Sequence, residues 1–213
     1  MSARIILATH NEAKVKELRT ILAEVVPAHH VVSARDRAVP DVKETGLTFA
    51  ENALLKARAV AQHTGLIALA DDSGLSVDVL GGAPGVFSAR WAGGHGDDQA
   101  NLELLLAQLA DVTPAHRGAA FVAAAALVTP QGWEVVEHGR LGGVLLTAPR
   151  GQGGFGYDPI FQPEGYELST AEMAPEEKNA ISHRGIAFRA LAPHVREALR
   201  TAAPQPRTSG SDQ

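Results

Sequence analysis

Arg4-Ile5-Ile6-Leu7-Ala8-Thr9-His10-Asn11-Glu12-Ala13-Lys14-Val15 is the stretch from which the fold is read. The apolar run Arg4–Ala8 predicts a short buried strand, and the polar Thr9-His10-Asn11 ends it. From Glu12 the period lengthens, with Val15, Leu18, Leu22 and Val25 near helical spacing. Asn11 or Thr9 suits the N-cap of that helix. Strand, polar turn and helix within the first 25 residues predict an α/β fold.

Working outward, the alternation continues. Thr48-Phe49-Ala50-Glu51 has the capping-box pattern and opens a helix through Ala53, Leu54, Ala57 and Val60 to Gly65. Ile67–Ala70 predicts a second buried strand, stopping at Asp71-Asp72-Ser73-Gly74. Asp97–Ala110 predicts a helix with Leu102, Leu105, Leu106 and Leu109 on one face. Ala119–Thr129 and Trp133–Leu145 predict a hairpin turning at Pro130-Gln131-Gly132. Val32–Lys43 reads as irregular, and Gly81–Gly85 and Ala92–Gly96 as loops. Ser169–Arg184 is polar with short helical potential, and Gly185–Arg200 is a last amphipathic helix. Without a repeat or a linker, residues 1–203 are expected to form one domain, and 204–213 a disordered polar tail.

Composition narrows the function classes. With 213 residues, 45% hydrophobic and 20% charged, the chain is long enough for a sizeable core and ordinary for a globular protein. Cysteine is absent, which excludes disulfides, thiolate zinc sites and a cysteine nucleophile. A net charge of −5 argues against coating a nucleic acid polymer, though not against handling single nucleotides. No apolar run approaches the roughly 18–20 residues of a membrane span, and the first residues lack a signal-peptide layout. A soluble, cytoplasmic protein is the expectation. Only five of the 19 basic residues are lysines, an imbalance for which coding bias is the plain reason.

Five stretches carry candidate chemistry. Thr9, His10, Asn11, Glu12, Ala13 and Lys14 lie where a strand meets a helix N-terminus, and its open N–H groups with a lysine one turn in suit an anion. Taken alone, an ordinary capped helix with a surface lysine is the plainer reading there. Asp71-Asp72-Ser73-Gly74, at the end of a strand, offers adjacent carboxylates that repel unless a cation attends them, and hard oxygens of this kind suit Mg2+. A simple Asp-Gly-type turn is the alternative. Glu44 can add a second carboxylate, while Asn52 and Lys56 share a helix face that a solvated surface explains as well. In Gly151–Pro159 a flexible glycine loop ends in Phe155, Gly156, Tyr157 and Asp158, where backbone can approach a ligand and a ring can stack on it. Finally Lys178, His183 and Arg184 can read phosphate or a base edge, arginine favouring a keto acceptor over an amine.

Six stretches in order resemble the inosine triphosphate pyrophosphatase family of house-cleaning enzymes. They are Thr9–Lys14 (T-x-N-x-x-K), Glu44–Lys56, Ala70–Leu80 (ADDSGLSVDVL), Gly81–Arg90 (GGAPGVFSAR), Gly151–Phe161 (GQGGFGYDPIF) and Lys178–Gly185 (KNAISHRG). The resemblance runs from residue 4 to about residue 200. It implies an elongated mixed sheet flanked by helices, two lobes with a central nucleotide-binding cleft, and a homodimer. It also implies Mg2+-dependent hydrolysis of non-standard purine nucleoside triphosphates (ITP, dITP, XTP) to the monophosphate and pyrophosphate. Asp72 matches the family's proton acceptor and a metal ligand, and Glu44 a further metal-site carboxylate. Thr9 through Lys14 and Lys56 match the phosphate-binding positions, and Ser73 a substrate contact. Phe155, Gly156, Tyr157, Asp158, Lys178, His183 and Arg184 match the nucleoside-binding positions. His10 stands where many relatives carry glycine. Two other readings remain: a pyrophosphatase for other modified nucleotides, and a catalytically silent nucleotide-binding module.

Overall fold

Ile5, Ile6 and Leu7 form β1 (Ile5–Leu7), and none of the three has any exposure. A strand buried on both faces requires cover on both, and the rest of the chain supplies it. The computed structural model describes residues 4–23, 26–27, 30–94 and 96–201. After β1 come α1 (Glu12–Leu22), β2 (Val31–Ser33), α2 (Phe49–Thr64), β3 (Ile67–Val77) and α3 (Asp98–Gln108). Then follow β4 (Gly118–Val128), β5 (Glu134–Leu145), β6 (Phe161–Pro163), α4 (Pro175–Ile181) and α5 (His183–Thr201). Val25 and the tail 204–213 fall outside the described residues.

The strands make one six-stranded sheet in the order β2-β1-β3-β4-β5-β6. β1 is parallel to β2 and β3, and the other pairs are antiparallel, so the sheet is mixed. Helices flank it. Side chains alternate across a strand, and the cores follow that alternation. Ile5, Leu7, Ile67 and Leu69 pack with Leu18 and Leu22 of α1 and Phe188 and Leu191 of α5. On the opposite face, Ile6, Ala68 and Ala70 pack with Ala53, Ala57 and Val60 of α2. Further along the same strands, Leu75 and Val77 pack with Leu102, Leu105 and Leu109 of α3 and with Phe161. Two packed regions therefore share the long strands β3, β4 and β5.

β3 corrects one expectation. It does not stop at Asp71 but continues to Val77 in unbroken register with β4, Asp71 opposite Ala125 and Asp72 opposite Ala124. The ladder needs only backbone groups, and the charged side chains find partners on the helices. Val32–Lys43 is likewise not wholly irregular, since β2 and a 3-10 turn at Arg35–Arg37 occupy part of it. Three residues paired to one neighbour are too few to print a period on the sequence. The last helix begins at His183 rather than Gly185, preceded by α4. Among the described residues, no helix is long and apolar enough to cross a membrane.

Candidate active site

β1 pairs with β3 only as far as Leu7 opposite Leu69. There the chain leaves the sheet for α1, so β3 runs on past the end of β1 with no strand beside Asp71–Ser73 on that flank, until Leu75 bonds Ser88 and Ser76 bridges to Pro84. Asp71, Asp72 and Ser73 lie on this stretch, beside the carboxyl end of a parallel strand, where α/β sheets form ligand crevices. An open flank lets side chains from both faces of β3 serve one cleft.

Asp71 and Asp72 do not stand side by side, as their adjacency in sequence suggested. Strand alternation sends Asp72 towards α2 and Asp71 towards α1 and α5. On the α2 side, Asn52 donates its amide to Asp72 Oδ2 at 3.0 Å, and the Ser73 backbone N–H donates to Oδ1 at 3.0 Å. Lys56 Nζ lies 3.7 Å from Asp72 Oδ1 and donates to Glu44 Oε1 at 2.7 Å. One ammonium thus stands between two carboxylates. Burial pushes the Asp72 carboxyl above its ordinary value; Lys56 pulls it back and Glu44 adds to the rise. Burial would also raise Glu44, but Lys56 outweighs it and holds that carboxyl low. Burial works against the Lys56 charge, yet Asp72, Asp71 and Glu44 together keep its pKa above that of a free lysine.

On the other face Asp71 is buried, and its Oδ2 accepts from Lys14 Nζ and Arg184 Nε. Burial alone would raise its pKa, but Lys14, Arg184 and Lys56 hold it far below the carboxylate range. Arg184 Nη1 donates to Glu17 at 2.7 Å and Nη2 to Ser73 Oγ at 3.1 Å. Three of its five N–H groups are thereby committed, and two remain. The turn before α1 is fixed by local bonds. Thr9 Oγ1 accepts from the Asn11 N–H at 3.2 Å, and Asn11 Oδ1 accepts from the Lys14 N–H at 3.2 Å. The first N–H groups of α1 have no acceptor within the helix itself. The Glu12 side chain turns aside to pair with Arg35. His10 is tied through Nε2 to the Val39 carbonyl and through Nδ1 to Asp41, both at 2.8 Å.

The glycine loop is pinned rather than flexible. Gly153 N–H donates to the Ala171 carbonyl, Phe155 N–H to Asp158 Oδ2, and Gly156 N–H to Asp98 Oδ2. Asp158 is buried and also receives Lys178 Nζ and the Thr170 hydroxyl, so it anchors both the loop and that lysine. The two aromatics separate. Tyr157 is buried with its hydroxyl donating to the Ser88 carbonyl at 2.9 Å, whereas Phe155 is 53% exposed. Lys178 Nζ lies 5.2 Å, and Arg184 Cζ 6.0 Å, from the Phe155 ring centre. His183 stacks on Phe121 with centroids 5.0 Å apart. Its Nδ1 is buried without a hydrogen-bond partner among the described residues. Burial and Arg184 keep this imidazole neutral, well below the usual histidine range. No side chain fits at Gly139, where the His183 carbonyl packs flush on β5 and seats the start of α5.

The Ham1 family model matches residues 5–194, the span over which these elements and side chains are arranged. The chain belongs to the Ham1 family. It is 66% identical over 197 residues to the dITP/XTP pyrophosphatase of Streptomyces coelicolor, covering 92% of this chain and 98% of that one. Of solved structures, the HAM1 protein from Coxiella burnetii matches with a TM-score of 0.82 and 40% identity, covering 92% and 99% of the two chains. The nucleoside-triphosphatase / dITP/XTP pyrophosphatase from Mycobacterium abscessus matches with a TM-score of 0.74 and 54% identity, covering 91% and 100%.

In this Ham1 chain, Lys14, Lys56, Asp72, Ser73 and Glu44 converge on the open flank of β3, with Phe155, Lys178, His183 and Arg184 at the α5 side. Tyr157, Asp158, Glu12 and His10 are engaged by other protein groups. Glu17, which the sequence does not single out, and Asn52, which it pairs with Lys56 on a helix face without assigning a role, also take part. Glu17 has the look of any charge on an amphipathic helix. For Asn52 a signal did exist, a polar residue one turn before Lys56 on the same face. Among the described residues no three His, Asp or Glu side chains gather into a metal cage. Glu44 and Asp72 are the oxygen donors already drawn around a single cation.

Proposed function

We propose that the chain hydrolyses non-standard purine nucleoside triphosphates, namely ITP, dITP and XTP, to the monophosphate and pyrophosphate. What chiefly supports this reading is the Glu44–Lys56–Asp72 arrangement on the open flank of β3, opposite the Lys14–Asp71–Arg184 cluster. One side suits hydrolysis, and the other suits holding a charged ligand with a ring. The names of the relatives, dITP/XTP pyrophosphatase, favour the same substrates.

In this reading the triphosphate lies against the Glu12 and Ala13 amides, with Lys14 and Lys56 opposing its charge. Glu44 and Asp72 fit Mg2+, a hard ion satisfied by one or two carboxylates plus substrate phosphate. When bound there, such an ion supplies charge withdrawal from phosphoryl oxygens. Asp72 orients a water and takes its proton as the water oxygen bonds to the α-phosphorus. The bond from that phosphorus to the bridging oxygen breaks, and pyrophosphate leaves with the electron pair. Asn52 and the Ser73 amide donate to Asp72, and the Lys56 ammonium stands 3.7 Å away. These partners match a carboxylate, while burial raises its pKa and makes it a stronger base.

The base stacks on the exposed Phe155 ring, with Lys178 and the two uncommitted N–H groups of Arg184 facing its 6-oxo oxygen. Adenine presents an amine there, and donor meets donor. The same reading takes residues 1–203 as one two-lobed unit, acting as a homodimer in the cytoplasm, which sedimentation and cell fractionation test. The decisive experiment is pyrophosphate release from ITP, XTP, dITP, GTP, ATP and dTTP, each with Mg2+ and with EDTA. Metal-dependent release from ITP, dITP and XTP, with little from ATP or GTP, is expected. Binding without release from any of them refutes the enzyme and leaves a sensor.

A further inference from the structure

Asn52 has no exposure, and each end of its side-chain amide is spoken for. Oδ1 accepts from the Gly46 backbone N–H at 2.8 Å, and Nδ2 donates to Asp72 Oδ2 at 3.0 Å. The backbone donor fixes which way the amide faces. An N–H needs an acceptor, so oxygen must point to Gly46 and nitrogen to Asp72. The next two loop amides are held separately: Leu47 and Thr48 both donate to Glu51 Oε2, at 2.6 and 3.2 Å. Of these two acceptor side chains, Asn52 is the one that also touches Asp72. Gly46 permits the approach, because a Cβ there would lie 2.7 Å from Asn52 Oδ1 and 2.6 Å from Glu51 Cβ.

We propose that Asn52 is a positioning residue, tying the loop that carries Glu44 to Asp72 so that the two carboxylates keep a fixed separation. The inference rests on the proposed hydrolytic reading, and supplies what that reading lacks. Glu44 comes from a loop and Asp72 from a strand, and the contact that Lys56 makes with both runs through a flexible stem. A rigid, buried amide bonded at both ends gives the pair a spacing that does not depend on the lysine. Groups that orient metal-site or catalytic carboxylates typically account for about 10–100-fold in activity.

Three variants separate this role from a general structural one. Asn52→Ala removes both bonds. It should lower kcat for ITP by about 10–100-fold with little change in KM. Deuterium uptake of the metal-free chain should rise at residues 44–48, while β3 and β4 stay protected. Asn52→Asp keeps an acceptor for Gly46 and sets a like charge against Asp72, so loop protection should survive while turnover falls. Gly46→Ala breaks the tether from the loop end, and with Asn52→Ala its effect on kcat should be less than multiplicative. Turnover of Asn52→Ala within about twofold of the unmodified chain overturns the proposal, as does uptake that rises evenly along the molecule. Should Asn52→Ala not fold, the isosteric Asn52→Asp decides. An unmodified chain that releases no pyrophosphate refutes the hydrolytic reading instead, and the exchange pattern still judges the tether.

Discussion

Lys14 and Arg184, from the first and last helices, share a single acceptor atom: Oδ2 of Asp71 lies 3.1 Å from the lysine Nζ and 3.0 Å from the arginine Nε. The buried carboxylate therefore fastens α1 to α5 through β3. Its folded pKa is depressed, so the stability it contributes is complete above the unfolded carboxylate value of about 3.9 and is lost as the pH falls below that towards the folded value. In urea, unfolding free energy should drop progressively as the pH falls below about 4. Asp71→Asn should be less stable by about 3–5 kcal/mol at neutral pH, with a shallower acid dependence, because two cations are left facing a neutral amide. An equally steep fall in the variant would assign acid sensitivity to other carboxylates.

Asp72→Asn keeps the shape and an oxygen while removing the base. Pyrophosphate release from ITP should fall by at least about 10²–10⁴-fold, the range for a general base. Nucleotide binding, followed by calorimetry, should survive. Near-normal turnover would move the base elsewhere.

Phe155 is the cleaner probe of the proposed nucleoside site, because its ring is exposed and lies outside the packed clusters. Phe155→Ala should leave the melting temperature unchanged. It should weaken ITP binding by about 1–3 kcal/mol, the usual worth of a base–aromatic stack. Full affinity in the variant would remove the ring from the site.

Arg184→Ala should erase the preference for ITP over ATP, measured as a ratio of kcat/KM values. The structure adds a second effect, since the change also strips Glu17 and Asp71 of their shared guanidinium. Arg184→Lys retains the charge without the fork and should fold better while still losing base preference. An unchanged ratio in both variants would shift base reading to Lys178 or to backbone donors.

Much of the fold was legible because α/β alternation writes two periods into a chain. The strand-to-helix switch at Thr9–Lys14 and the capping box of α2 are local signals, and both capping-box bonds are present. β3 was cut short because apolar runs stand in for burial, whereas Asp71 is buried by charges brought from Lys14 and Arg184, far away in sequence. Tyr157 and Phe155 looked equivalent as neighbours in one loop; a contact with the Ser88 carbonyl, in another segment, distinguishes them. Glu17 had no local mark, and Asn52 showed only its place one turn before Lys56, because the partners that give them roles lie on other segments. Pairing across elements is what single-sequence patterns leave out.

The opposed directions of Asp71 and Asp72 have an evolutionary consequence. A backbone ladder stands between the side chains that would recognise a base and those that would break a phosphoanhydride. On the proposed reading, substitutions at Phe155 would retune which nucleotide is accepted without touching Lys56 and Asn52, whereas those at Arg184 reach Asp72 through Ser73. Selectivity and chemistry are, on that reading, two faces of one strand, with Ser73 as the seam through which a change on one is felt on the other.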